Sequence, residues 1–140
     1  MTLEEIEESL PNGLHDAKIS EFAMSYEKLR LTVNVEILVG LPEQPPPERD
    51  AYRSGIIEFR EARLFSIEFP KAESAFQSPG SLWFSYERTS PDVIPEELVA
   101  TLPPETQYYS LFVLDWHSSI HITAEQVEFS WAQPVDEPIQ

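Results

Sequence analysis

Hydrophobic and polar positions along this chain follow two periods, and the change between them comes early. Leu3, Ile6 and Leu10 share one face at helical spacing, so residues 2–10 read as a short amphipathic helix. Thr2 and Glu5 are placed as a capping box, and the early glutamates suit the positive end of the helix dipole. Pro11-Asn12-Gly13 ends the segment. From there apolar residues alternate with polar ones, the pattern of strands with one face in a core. The clearest run is Leu29, Leu31, Val33, Val35, Ile37 and Val39, interleaved with Arg30, Thr32, Asn34 and Glu36. Shorter runs predict strands at 17–22, 56–59, 64–69, 81–88, 108–116, 120–124 and 127–131, with a turn at 24–28.

Prolines punctuate this pattern. Pro42 and Pro45-Pro46-Pro47 cannot join a ladder, so 41–50 reads as a stiff exposed loop. Pro95, Glu96, Glu97, Leu98 and Leu102, stopped by Pro103-Pro104, predict a short helical turn near 95–102. Residues 134–140 read as a loose tail. The expected architecture is a single domain over 1–140, mainly β: an antiparallel sandwich or open barrel carrying the N-terminal helix.

The C-terminal hairpin poses a question of register. Pairing Trp116 with Ile122 and Leu114 with Ala124 keeps apolar residues on one face and leaves a loop around Ser118-Ser119. A tighter loop would oppose Trp116 to His121, which fits less well. Beyond Ala124 the apolar phase slips by one, which predicts a bulge or bend near Glu125-Gln126. The preferred register sets His117 opposite His121 with Asp115 on the same side, a candidate divalent-metal corner, since facing Cβ atoms stand about 5 Å apart. The same residues also fit a solvated hairpin end.

Composition narrows the function classes. Twenty-five Asp and Glu against nine Lys and Arg give a net charge of −16 over 140 residues. That field, with no Lys/Arg cluster, argues against nucleic acid and against anionic membrane surfaces. The longest apolar runs are short, such as Leu111 to Leu114, so no spanning helix is expected, and the acidic start does not read as a signal peptide. The chain has no cysteine, which removes disulfides and thiol chemistry and fits a cytoplasmic location. Solubility needs a net charge of only about 2–8 in magnitude. The surplus fits complementarity to a basic protein partner.

Signals for catalysis are sparse. His15-Asp16 is similar to the dipeptide of metal-dependent phosphohydrolases, but that pair belongs on helices, and here it opens a strand. There is no Gly-x-Ser-x-Gly elbow, no His-Glu-x-x-His and no phosphate-binding glycine loop. No catalytic residue and no cofactor is implied. Trp83, Trp116, Trp131, Tyr108, Tyr109 and Phe112 would either line a ligand cavity or fill a core.

Two stretches, Leu10-Pro-Asn-Gly-Leu-His-Asp-Ala17 and Leu114-Asp-Trp-His-Ser-Ser-Ile-His-Ile-Thr-Ala124 with Val127-Glu-Phe129, resemble small acidic bacterial proteins of unknown function. Some of these are grouped with immunity proteins of toxin–antitoxin-like systems. The resemblance implies binding and blocking of a cognate toxin without catalysis, and it carries over no site residues. The expected role is non-catalytic binding of a basic protein through an acidic face. The alternative is a small β-barrel enzyme or ligand carrier with an aromatic cavity and the His117/His121 corner. A filled core with a negative face would favour the first, and a concave pocket with both histidines at its mouth the second.

Overall fold

The computed structural model describes residues 1–73, 75–77, 79–88 and 94–132, with the backbone alone for Arg88. The expected tail at 134–140 lies outside the described residues. Helix α1 (Leu3–Ser9) begins as its cap predicts: Thr2 Oγ1 accepts from the Glu5 amide at 3.2 Å and donates to the Glu5 carboxylate. Among the described residues eight strands follow: β1 (Lys18–Ser25), β2 (Arg30–Leu38), β3 (Tyr52–Arg60), β4 (Phe65–Ile67), β5 (Leu82–Arg88), β6 (Gln107–Val113), β7 (Ser118–Ala124) and β8 (Gln126–Trp131). The prolines of 41–50 yield exposed turns and a 3-10 helix at Glu48–Asp50, and the segment near 95–102 holds the short helix α2 (Glu96–Val99). Among the described residues no helix is long and apolar enough to cross a membrane.

All strands run antiparallel in one sheet of order β4-β7-β6-β5-β1-β2-β3-β8. β4 continues β3 and β8 continues β7, so the two end ladders are built by the same two chain segments. Arg60 pairs with Gln126 and Phe65 with Ile122, a step of five residues on one segment and four on the other. One extra residue therefore stands at the corner, where Glu61 adopts φ 54° and the Glu125 amide donates to the Arg60 carbonyl. This is the bend predicted near Glu125-Gln126, with the extra residue on the facing segment. The sheet curls over it into an open barrel, bringing Phe59 of β3 within 5.9 Å of Tyr109 of β6, ring centre to ring centre.

The β6–β7 register differs from the predicted one. Leu111 pairs with Ile120 and Val113 with Ser118, leaving Leu114-Asp115-Trp116-His117 as the turn. His117 at φ 52° closes it. Alternation misled at Leu114, which is exposed, and at Trp116, which is buried for another reason. Trp116 docks against Lys71, Ala72 and Phe76: its ring meets Phe76 at 5.0 Å and its carbonyl accepts from the Lys71 and Ala72 amides. Its apolar character reports the docking of a turn rather than a strand face.

The alternating positions of β2, β3, β6 and β7 form the core, including Leu31, Val33, Ile57, Phe59, Leu111 and Ile120. Burying each such side chain contributes roughly 1.5–3 kcal/mol. Helix α1 adds Leu3 and Ile6 and so closes one side of the barrel. Asn12 Nδ2 ties this region to the end of β2 by donating to the carbonyls of Leu38 at 2.9 Å and Gly40 at 2.7 Å. Gly40 lies so close to the proline-rich loop that a Cβ there would stand 2.1 Å from the Arg49 carbonyl oxygen. Gly40→Ala is expected to lower stability by about 1–3 kcal/mol, as overpacking does. A urea denaturation midpoint unchanged by the substitution would contradict this docking.

Candidate functional site

The candidate site arises where the sheet parts. β1 and β5 pair only at Lys18↔Trp83 and Ile19↔Leu82, and the Phe84 amide makes a last bond to the Ala17 carbonyl at 3.3 Å. A bulge at Ser20 adjusts β1 to β2 just beyond this point. Helix α1 and the turn before β1 stand opposite β5, and a cavity of about 660 Å³ lies between them. The consecutive residues Trp83 to Glu87 all line it. Side chains alternate across a strand, so an uninterrupted run can line a groove only along the strand's edge.

The facing wall carries Glu4 and Glu7 of α1 together with Leu14, His15 and Asp16. Glu7 holds the walls together: it accepts from Tyr86 Oη at 3.2 Å and from the Leu14 amide at 3.4 Å. Asp16, at φ 59°, turns the chain into β1, and its carboxylate lies 3.4 Å from His15 Nε2. Both side chains are well exposed. Glu87 adds a carboxylate from β5, while Trp83, Phe112 and Leu114, each partly exposed, give one end an apolar surface. Among the described lining residues there is no lysine or arginine.

Beside the groove the ammonium of Lys18 lies over two rings, 4.4 Å from the centre of Trp83 and 4.7 Å from that of Tyr52. Contacts of this kind contribute about 0.5–2 kcal/mol. Burial, then the charges of Asp16, Asp50 and Glu36, raise the Tyr52 hydroxyl above its ordinary pKa. Four arginines are engaged by residues that do not line the groove. Arg30 and Arg60 pair with Glu58, Arg63 pairs with Glu125, and Arg53 covers the Trp131 ring at 4.4 Å.

Asp115, His117 and His121 do not converge. The Asp115 carboxylate accepts from the Trp83 amide at 3.0 Å, and His117 lies in the turn with its ring edge toward Phe112. His121, on β7, pairs with Ser110 rather than with His117. Among the described residues no group of three His, Asp or Glu is arranged to hold a metal ion. The candidate aromatics divide: Tyr109 and Trp116 fill the core, while Trp83 and Phe112 line the groove.

His121 instead belongs to a constellation that sequence pattern alone did not expose. Its Nδ1 lies 2.8 Å from Ser110 Oγ and its Nε2 2.8 Å from Glu68 Oε2, and Glu68 also accepts from the Ser119 amide at 3.0 Å. The only available cue was a set of polar residues inside apolar strands, and their partnership depends on the β6–β7 register. Ser110 is 2% exposed and lines neither the groove nor the smaller cavity of about 250 Å³ beside His121, so its hydroxyl has no described path to a substrate. The constellation tethers the segment after β4 to β7.

No protein-family model matches the chain, and no curated protein matches it. A solved structure of an uncharacterized protein from Neisseria gonorrhoeae is similar at 16% identity and a TM-score of 0.41, over 81% of this chain and 89% of that one. A likeness of that degree says nothing of what this chain does.

Hydrogen bonds from His121 first, then from the Ser119 amide, hold the Glu68 carboxyl below its ordinary pKa. A carboxylate depressed in the folded state contributes stability that is complete above its unfolded pKa and is lost as pH falls through the folded value. His121→Phe is therefore expected to raise the Glu68 pKa and to flatten the acid limb of stability against pH. NMR titration of the Glu68 carboxyl carbon checks this, and an unmoved titration would contradict the tether.

Proposed function

We propose that the protein is a non-catalytic binding protein that receives a basic protein partner in the groove between α1 and β5. The observation that carries this reading is the groove's lining: carboxylates on both walls, an exposed tryptophan at one end, and no lysine or arginine among the described lining residues. Such a surface steers a cationic partner and selects against acidic competitors. Trp83 supplies the rigid, partly exposed aromatic that commonly anchors an interface. The burial of Ser110 and the register that pairs His121 with Ser110 rather than His117 favour this reading over an enzymatic one. Sequestration of a basic toxin, the role the sequence resemblance implies, is the form of binding we favour.

The test compares the wild-type chain with an Asp16→Asn/Glu87→Gln double variant as immobilised baits for extract from the source organism, eluted in rising salt. A discrete basic protein is expected on the wild-type chain. The variant should hold it about threefold to thirtyfold more weakly, with a shallower salt dependence. Equal retention by both baits would place recognition elsewhere on the acidic surface. Retention of nothing by the wild-type bait would count against the reading.

A further inference from the structure

We propose that the outer edge of β4, together with the small cavity beside His121, docks an extended segment of a partner protein, paired antiparallel and carrying an apolar anchor residue between basic ones. This surface shares no lining residue with the groove between α1 and β5 and does not depend on how that groove is read. β4 ends the sheet, with β7 as its one neighbour among the described strands. The pairing fixes which main-chain groups are left over. The Thr123 amide donates to the Leu64 carbonyl at 3.0 Å, and the Glu68 amide donates to the Ser119 carbonyl at 3.0 Å. In an antiparallel ladder, facing pairs that exchange bonds alternate with pairs that exchange none. Leu64, Ser66 and Glu68 therefore turn their main chain to β7, whereas Phe65 and Ile67 turn theirs to the outer edge. Among the described residues, nothing bonds the Phe65 or Ile67 main chain there. The Ile67 side chain is exposed as well.

Main-chain bonds along such an edge give an added strand its affinity, and pockets for alternate side chains give it specificity. Ser66 and its facing residue His121 line a cavity of about 250 Å³, with Leu64 and Thr123 beside them. Ile94, Pro95 and Leu98 bring α2 and its approach to the same lining. That volume lies below the roughly 300–1,000 Å³ of small-molecule sites and suits a single side chain. The inner polar groups are already engaged: Thr123 Oγ1 accepts from the Leu64 amide at 3.0 Å, and His121 is held by Ser110 and Glu68. An apolar occupant therefore leaves none of them unpaired. Two residues of an antiparallel segment would face Phe65 and Ile67. The residue between them, opposite Ser66, would direct its side chain to the Ser66 face, where the cavity lies. Glu96 and Glu97, between Pro95 and Leu98, are exposed, and the ion pairs of the described residues do not include them. Basic residues on either side of the anchor complement these carboxylates. A second copy would bring its own net charge of −16 to the same edge, which favours a partner of opposite sign.

The test uses the full chain and the synthetic peptide Lys-Thr-Leu-Thr-Lys, capped at both ends, with binding followed at low salt by NMR shifts of the Phe65 and Ile67 amides. The peptide is expected to shift both amides saturably. N-methylation of the two threonines, which would face Phe65 and Ile67, should weaken binding by about tenfold or more. N-methylation of the leucine, whose amide would point away from β4, should weaken it by less than about threefold. Equal effects, or the reverse order, would overturn the antiparallel added strand. Replacing the leucine by alanine should weaken binding by about fivefold or more, and an unchanged affinity would overturn the anchor. A Glu96→Gln/Glu97→Gln variant of the protein should bind about threefold more weakly, and equal binding would overturn the basic flanks. Unmoved Phe65 and Ile67 amides would overturn the docking surface, and shifts at Asp16 and Glu87 instead would leave the groove standing as the basic-partner site. Shifts of the Phe65 and Ile67 amides with protein concentration alone would assign the edge to a second copy and overturn the choice of occupant.

Discussion

The architecture turns on how briefly β1 and β5 touch. Two residue pairs join the halves of the sheet there, and the Lys18 ammonium between Tyr52 and Trp83 stiffens the contact. A longer ladder would bring the strands together along their length and leave no room for a groove. Helix α1 stands across that opening, with Glu7 accepting from Tyr86 of β5, and adds Leu3 and Ile6 to the core. The helix brings its glutamates with it, so the element that closes the core also charges the groove. One geometric constraint therefore yields an opening, a wall and a field.

Charge in this chain is distributed rather than merely abundant. Arg30, Arg60 and Arg63 lie near β2, β3 and the corner, each against glutamates, and Lys18 and Arg53 lie against rings. The arginine pairings offset Glu58 and Glu125, neither of which lines the groove. Around α1 and the turn before β1, Glu7 and Asp16 keep company with polar hydrogens and with His15 instead. A concave site with low-dielectric walls focuses such a field more strongly than a convex surface does.

Much of the fold was legible in the sequence because its signals are local. The capping pair Thr2/Glu5, the alternation from Leu31 to Ile37 and the phase slip after Ala124 each depend on neighbours within a few residues, and each has its structural counterpart. The hairpin register was not legible, because Trp116 is buried by a distant segment around Phe76 and because His117 closes the turn in a left-handed conformation without a glycine. That error carried the Asp115/His117/His121 corner with it. The groove was hidden for a related reason: it depends on where pairing stops, and β5 reads as an ordinary strand along its whole length. The tether of Ser110, His121 and Glu68 joins positions up to 53 residues apart, beyond the reach of any spacing rule.

Whether the negative field is focused in the groove can be measured without any partner. Paramagnetic relaxation of backbone amides by a small cationic nitroxide, referenced to a neutral nitroxide of similar size, reports the local potential residue by residue. The expected result is an excess enhancement concentrated at His15, Asp16, Ser85 and Glu87, above that at exposed acidic positions such as Glu43 and Glu48 in the proline-rich loop. An enhancement no greater in the groove than at Glu43 and Glu48 would contradict the account, because the acidity would then be a general property of the surface and the opening beside β5 would have no electrostatic claim to be the site.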